Sequence, residues 1–184
     1  MKKILLVIAV AIIAATSAQA VRYKGFGEFN CGTFIPSEYY GAGVLVGIST
    51  SHGVELIDGL FVGAGVDINY VTFSEPENSS YYNELDYAGN IAIFAEGRYS
   101  FLRKRKVSPF IGIRVGGGYE GVEEQGCFYF SPAAGVTINL TKKFGLDASL
   151  GYSLWTGSSK HDDDSRYGHS ASFNGVSVRF GVHF

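Results

Sequence analysis

The sequence predicts an all-β protein: an eight-stranded antiparallel up-and-down transmembrane β-barrel, preceded by a cleaved signal peptide. Three observations carry that expectation. Eight stretches alternate apolar and polar residues with a period of two. Their apolar faces carry no charge in the second to eighth stretches. No stretch after the N-terminal segment approaches 18 consecutive apolar residues, although 46% of the chain is hydrophobic and only 17% charged. Successive strand residues point to opposite faces, so period-two alternation means one greasy wall and one polar wall.

The last stretch shows the pattern most cleanly. Val176, Val178, Phe180, Val182 and Phe184 alternate with Ser177, Arg179, Gly181 and His183. At the other end, Lys2 and Lys3 precede twelve apolar residues, Ile4 to Ala15, and Ala18-Gln19-Ala20 supplies a small-x-small cleavage site. That arrangement reads as a secretory signal peptide over residues 1–20, leaving a barrel domain over 21–184. Its apolar run is short against the roughly 20 residues a spanning helix needs. Removing Lys2 and Lys3 from 15 basic residues leaves 13 against 17 acidic ones, a net of −4. That balance favours no nucleic-acid partner.

The strands are expected, in order, at about 23–31, 40–51, 60–72, 87–101, 110–119, 127–140, 146–155 and 174–184. The first alternates weakly. The second sets Ala42, Val44, Val46 and Ile48 against glycines and Ser49. The third sets Val62, Ala64, Val66, Ile68 and Tyr70 against Gly63, Gly65, Asp67 and Asn69. The fourth sets Ile91, Ile93, Ala95 and Tyr99 against Glu96 and Arg98, and the fifth Ile111, Ile113 and Val115 against Gly112, Arg114 and Gly116. The sixth and seventh place Val136, Ile138, Leu146 and Leu150 opposite Thr137, Asp147 and Ser149. Pro132 falls inside the sixth strand, where its missing N–H predicts a bulge or a displaced strand start. Compact connections near 53–59, 103–108 and 141–144 alternate with longer polar ones near 34–39, 74–86, 120–126 and 156–172. Short periplasmic turns and long outer loops are expected of such a barrel.

A charge facing lipid at the bilayer midplane costs about 2–4 kcal/mol. Glu28, Asp67, Glu96, Arg98, Arg114, Asp147, Arg179 and His183 should therefore face inward. Four acids and three arginines read as a lumenal ion-pair network that fills the barrel, with glycines making room for long side chains. The alternative is that they line a gated conduit. Aromatics near strand ends predict two girdles. Tyr39, Tyr40, Tyr70, Phe73, Tyr81, Tyr82, Tyr87, Tyr119, Phe128 and Trp155 belong to the outer rim, and Tyr99, Phe101, Phe144 and Phe184 to the periplasmic rim.

The chain resembles the small OmpA/OmpX-like outer-membrane β-barrels, especially the type common in Bacteroidetes. The resemblance spans the whole mature chain. It is carried by Tyr23-Lys24-Gly25-Phe26, Ile48-Ser49-Thr50-Ser51-His52-Gly53, Phe61-Val62-Gly63-Ala64-Gly65-Val66, Phe128-Tyr129-Phe130-Ser131-Pro132 and Phe180-Gly181-Val182-His183-Phe184. Phe180, Val182 and Phe184 resemble the family's C-terminal assembly signal. The resemblance implies outer-membrane location, biogenesis through periplasmic chaperones and the barrel-assembly machinery, and functions that are structural or adhesive. It implies no cofactor. A monomer in outer-membrane lipid is expected.

Candidates for chemistry are few. Lys160-His161-Asp162-Asp163-Asp164-Ser165-Arg166, with His169 nearby, could hold a divalent cation but reads better as a solvated loop. Ser170, Ser172 and His169 lack an acid at defined spacing, so a lipid-modifying enzyme is a lesser alternative and no catalytic residue is assigned. Cys31 and Cys127 fall near outer strand ends, and an exported pair can form a disulfide. Strands one and six are not neighbours, however, and a bridge needs Cα atoms within about 7 Å. The principal alternative to a membrane barrel is a soluble lipocalin-like barrel in the periplasm. It would require Arg98, Arg114 and Arg179 to face water on the outside.

Overall fold

The computed structural model describes residues 22–35, 43–73, 86–102, 105–121, 125–141, 143–157 and 172–184. The expected signal peptide, the 160–169 loop and Tyr39, Tyr40, Tyr81 and Tyr82 lie outside them. The described residues form eight strands: β1 Arg22–Phe34, β2 Gly43–Ile57, β3 Leu60–Phe73, β4 Asp86–Ser100, β5 Val107–Glu120, β6 Gln125–Asn139, β7 Gly145–Gly157 and β8 Ser172–His183. Every strand pairs antiparallel with its sequence neighbour, and β1 pairs with β8, which closes the barrel. Closure leaves no unpaired strand edge, a condition for any sheet placed in hydrocarbon.

The strands run 12 to 15 residues, longer than the roughly 9–11 needed to cross the hydrocarbon, so their ends project beyond it. β2 gains the most. It continues through Glu55, where the sequence pattern placed a turn, and reverses over Asp58 and Gly59. Gly59 has φ of 90°, which an L side chain adopts only with strain. A register irregularity at Glu55–Ile57 tightens this corner. At the seam, Phe184 N donates to Gly25 O at 3.0 Å and Gly25 N donates to Phe184 O at 2.8 Å.

The bulge expected at Pro132 is not there. Pro132 sits in register opposite Ile113 of β5. The β6–β7 ladder omits Ser131 and Pro132 but resumes unshifted, from Phe130↔Leu154 to Ala133↔Gly151. The Ser131 hydroxyl donates to Tyr152 O at 2.7 Å, so a side-chain donor satisfies a carbonyl beside the proline that has no N–H to offer.

The wall has the polarity the alternation predicts. Ile93 is 68% exposed, Leu150 63%, Ile48 60% and Phe180 58%, all on the outer surface. Glu28, Asp67, Glu96, Arg98, Arg114, Asp147, Arg179 and His183 are all buried in the interior. A soluble barrel shows the inverse arrangement. Arginines at 3–4% exposure inside an apolar wall rule out the lipocalin-like orientation.

Candidate functional site in the barrel lumen

Period-two geometry aims one residue in two from each strand at the barrel axis, and here the axis is filled. Glu28 on β1 is the hub. Its Oε1 accepts from the Arg98 guanidinium of β4, and its Oε2 accepts from Arg114 Nη2 of β5 at 2.5 Å. Arg98 Nε also donates to Glu96 Oε1 at 3.1 Å, while Arg114 Nε lies 3.5 Å from Glu96 Oε2. Arg98 Nη1 stands 3.8 Å from Asp147 Oδ1, and Asp147 Oδ2 lies 3.2 Å from His183 Nδ1. Thr137 donates its hydroxyl to Asp147 as well. Five of the seven predicted lumenal charges thus join one network across the barrel. Each of these five buried charges faces at least one opposite charge, which offsets the cost of its burial.

Two predicted members lie outside it. Asp67 accepts from Asn30 Nδ2 at 3.2 Å and from the Tyr129 hydroxyl at 2.8 Å. Arg179 has no carboxylate partner among the described residues. Its Nη2 donates to Ser131 Oγ at 2.5 Å and to Ser153 Oγ at 3.4 Å, and its Nε to Ser177 Oγ at 3.3 Å. A Cβ on Gly151 would sit 2.5–2.7 Å from the Arg179 guanidinium. This glycine therefore holds open the space the arginine occupies, as expected for glycines lining a crowded lumen.

Aromatic rings bracket the charges on both sides. Arg98 Cζ lies 4.0 Å from the Phe26 ring centroid and 4.4 Å from that of Phe110, and Phe26 packs edge-on against Phe61 at 4.8 Å. These cation–π contacts cover the guanidinium where no carboxylate reaches. Toward the outer end, Ala92, Phe94, Tyr129 and Trp155 form a buried cluster, with Tyr129 and Trp155 centroids 4.6 Å apart. Trp155 corrects the girdle expectation. It shares the parity of Asp147, Ser149 and Ser153, so it points inward and is 1% exposed. Tyr70, Tyr87, Tyr119 and Phe128 do stand exposed on the outer rim, as do Tyr99, Phe101, Phe144 and Phe184 at the other end.

Several lumenal groups escaped the sequence reading. Glu55 and Glu120 are buried inward-facing carboxylates. Glu120 lies one residue past the expected end of its strand, and Glu55 falls in the segment expected to be a turn. Asn30 and Tyr129 also face inward without a charge to mark them, while Ser49, Ser131 and Thr137 lie on the polar faces that the alternation predicts. His52 sits on the outer face near the turns, between the Tyr23 hydroxyl at 2.6 Å and Thr50 Oγ1 at 3.0 Å. Both ring nitrogens are thereby satisfied at the lipid-facing wall.

Cys31 and Cys127 are unbridged. Cys31 points outward from β1, whereas Cys127 packs inward against the Tyr129–Trp155 cluster. The barrel wall separates their side chains, so their Cβ vectors diverge and a disulfide cannot form without moving a strand. Oxidised protein run with and without reductant should show one mobility, and thiol titration in denaturant should find both cysteines free.

The chain is similar to several solved structures. Neisserial surface protein A is 15% identical, with 90% of this chain and 98% of that chain covered and a TM-score of 0.54. The fold is that of a small outer-membrane barrel. The N-terminal β-barrel domain of OprF from Pseudomonas aeruginosa aligns at 15% identity over 88% and 97% of the two chains, with a TM-score of 0.45. The attachment invasion locus protein of Yersinia pestis aligns at 14% identity over 88% and 98%, with a TM-score of 0.43. No protein-family model matches the chain, and no curated protein matches it in sequence. The closed barrel, with lipid-compatible residues outside and charges inside, makes it an integral barrel of the outer-membrane type.

Proposed function

We propose that the protein is a non-enzymatic, monomeric outer-membrane barrel with a side-chain-filled lumen. It would serve as a structural component of the envelope or as a platform presenting its outer loops. The observation carrying this reading is the filled axis. The Glu28–Arg98–Arg114 network encloses a cavity of only about 10 Å³, room for roughly one water, and the Trp155–Tyr129–Phe94 cluster stacks beyond it. Neither leaves a path for a solute. Function then falls to the surfaces: the apolar wall to lipid, and the loops to the exterior. On this reading Phe180, Val182 and Phe184 present the apolar edge that the barrel-assembly machinery engages after periplasmic chaperones deliver the chain.

The test combines two measurements on membrane-extracted protein. The unboiled band should shift in mobility on boiling in SDS, with the protein in the outer-membrane fraction. The folded protein should add no steady conductance to a planar bilayer. A stable open channel at low voltage would replace the platform reading with a conduit.

A further inference from the structure

At the end of the barrel bearing the short turns, the lumen widens into a vestibule of about 740 Å³. This lies within the range of small-molecule sites, roughly 300–1,000 Å³. Its lining is strongly basic: Arg22 and Lys24 from the start of β1, Arg105 and Lys106 from the β4–β5 turn, and Lys143 from the β6–β7 turn. Two carboxylates line it as well, the Glu55 side chain and the main-chain carboxylate of Phe184, whose oxygen accepts from Gly25 N at 2.8 Å. Glu55 is already engaged, since its Oε1 accepts from Gly59 N at 2.9 Å and its Oε2 lies 3.5 Å from Lys24 Nζ. Arg22, Arg105, Lys106 and Lys143 have no carboxylate partner among the described residues.

The turns carrying these cations are pinned. Arg105 N donates to Leu102 O at 2.9 Å, and Asn139 Nδ2 donates to Arg105 O at 3.0 Å. Asn139 N also donates to Lys106 O at 2.8 Å. Thr141 Oγ1 accepts from Lys143 N at 3.2 Å and from Phe144 N at 3.0 Å. The positive charges thus converge from three separate points on the ring onto one concave space. Cations facing each other across a cavity repel unless an anion sits between them. Guanidinium and ammonium groups from several directions match the oxygens of a multiply charged oxyanion.

We propose that this vestibule binds a multivalent oxyanion of the phosphate type from the periplasmic side. A phosphate-bearing soluble molecule and a phospholipid headgroup at the barrel rim share the required chemistry.

Inorganic tripolyphosphate is the probe. It would be titrated calorimetrically into the refolded full chain in zwitterionic micelles, after the heat-shift assay confirms the barrel. Saturable binding at one per chain is expected, weakening with added salt. The variant Arg105→Gln/Lys106→Gln/Lys143→Gln changes exposed turn positions and should retain the heat shift while losing at least about tenfold in affinity. No saturable binding by a heat-modifiable wild type overturns the proposal. So does undiminished binding by the heat-modifiable variant. The same titration in nanodiscs separates the sources. Weaker binding in phosphatidylglycerol than in phosphatidylcholine discs supports the site with a lipid headgroup as its ligand, and equal binding supports it with a soluble one. Loss of the heat shift in the wild type would instead count against the barrel reading itself.

Discussion

Glu28→Gln is expected to destabilise the folded barrel by about 3–5 kcal/mol, the cost of stranding buried charge by removing one partner of a buried pair. Glu28 bridges Arg98 and Arg114 from β1, with shorter contacts than Glu96 makes from β4, and the amide keeps its shape while removing its charge. Arg98 would retain Glu96 and Asp147, while Arg114 would retain only Glu96 at 3.5 Å. The measurement is urea unfolding in lipid vesicles, followed by fluorescence. Glu28→Gln/Arg114→Gln should lose less than the sum of its single variants, because the second change removes the cation the first one stranded. A loss below about 1 kcal/mol for Glu28→Gln would show that the network fills space without supporting the fold.

Trp155→Ala should cost about 3–5 kcal/mol, as large aromatic-to-alanine changes in packed interiors do. Trp155 is 1% exposed, packs at a tilt against Tyr129, and belongs to the cluster that closes the lumen beyond the ion pairs. The loss is read by circular dichroism, since the substitution removes the chain's single tryptophan. Trp155→Phe should recover most of it. If Trp155 were a girdle residue in the headgroup zone, alanine would leave no cavity and the cost would fall well below that of a core truncation.

The fold was legible because a membrane barrel writes its architecture into alternation. Each charge placed inward by parity is inward, since a charged residue on the lipid face is costly enough that the pattern tolerates few exceptions. Strand ends were less legible. Past the hydrocarbon the outer face no longer has to be apolar, so Glu55 and Glu120 lay beyond the visible pattern while remaining in their strands. Trp155 departs from the girdle pattern because parity outweighs its residue type and its place near a strand end: Asp147, Ser149 and Ser153 fix its face inward. The sequence pattern placed the lumenal charges on one face without their partners. Partner choice depends on register between strands, and register brings Glu28 to Arg98, 70 residues away. Asp67 illustrates the difference. Its burial follows from parity, but its pairing with Tyr129 and Asn30 follows from the barrel's closure. The Pro132 bulge failed because Ser131 offers a hydroxyl to the neighbouring strand's carbonyl, a compensation visible only with β7 beside β6.

The apolar faces of the strands meet lipid and the polar faces fill the lumen. The single tryptophan tests that arrangement directly. Protein refolded into vesicles of brominated lipid should show little quenching of Trp155, which faces the lumen. A variant carrying Trp155→Phe and Ile93→Trp moves the only indole to the outer wall and should be strongly quenched. Strong quenching of Trp155 together with an unquenched indole at position 93 would mean that the wall is inverted, with its charges toward lipid, and would contradict the membrane barrel outright.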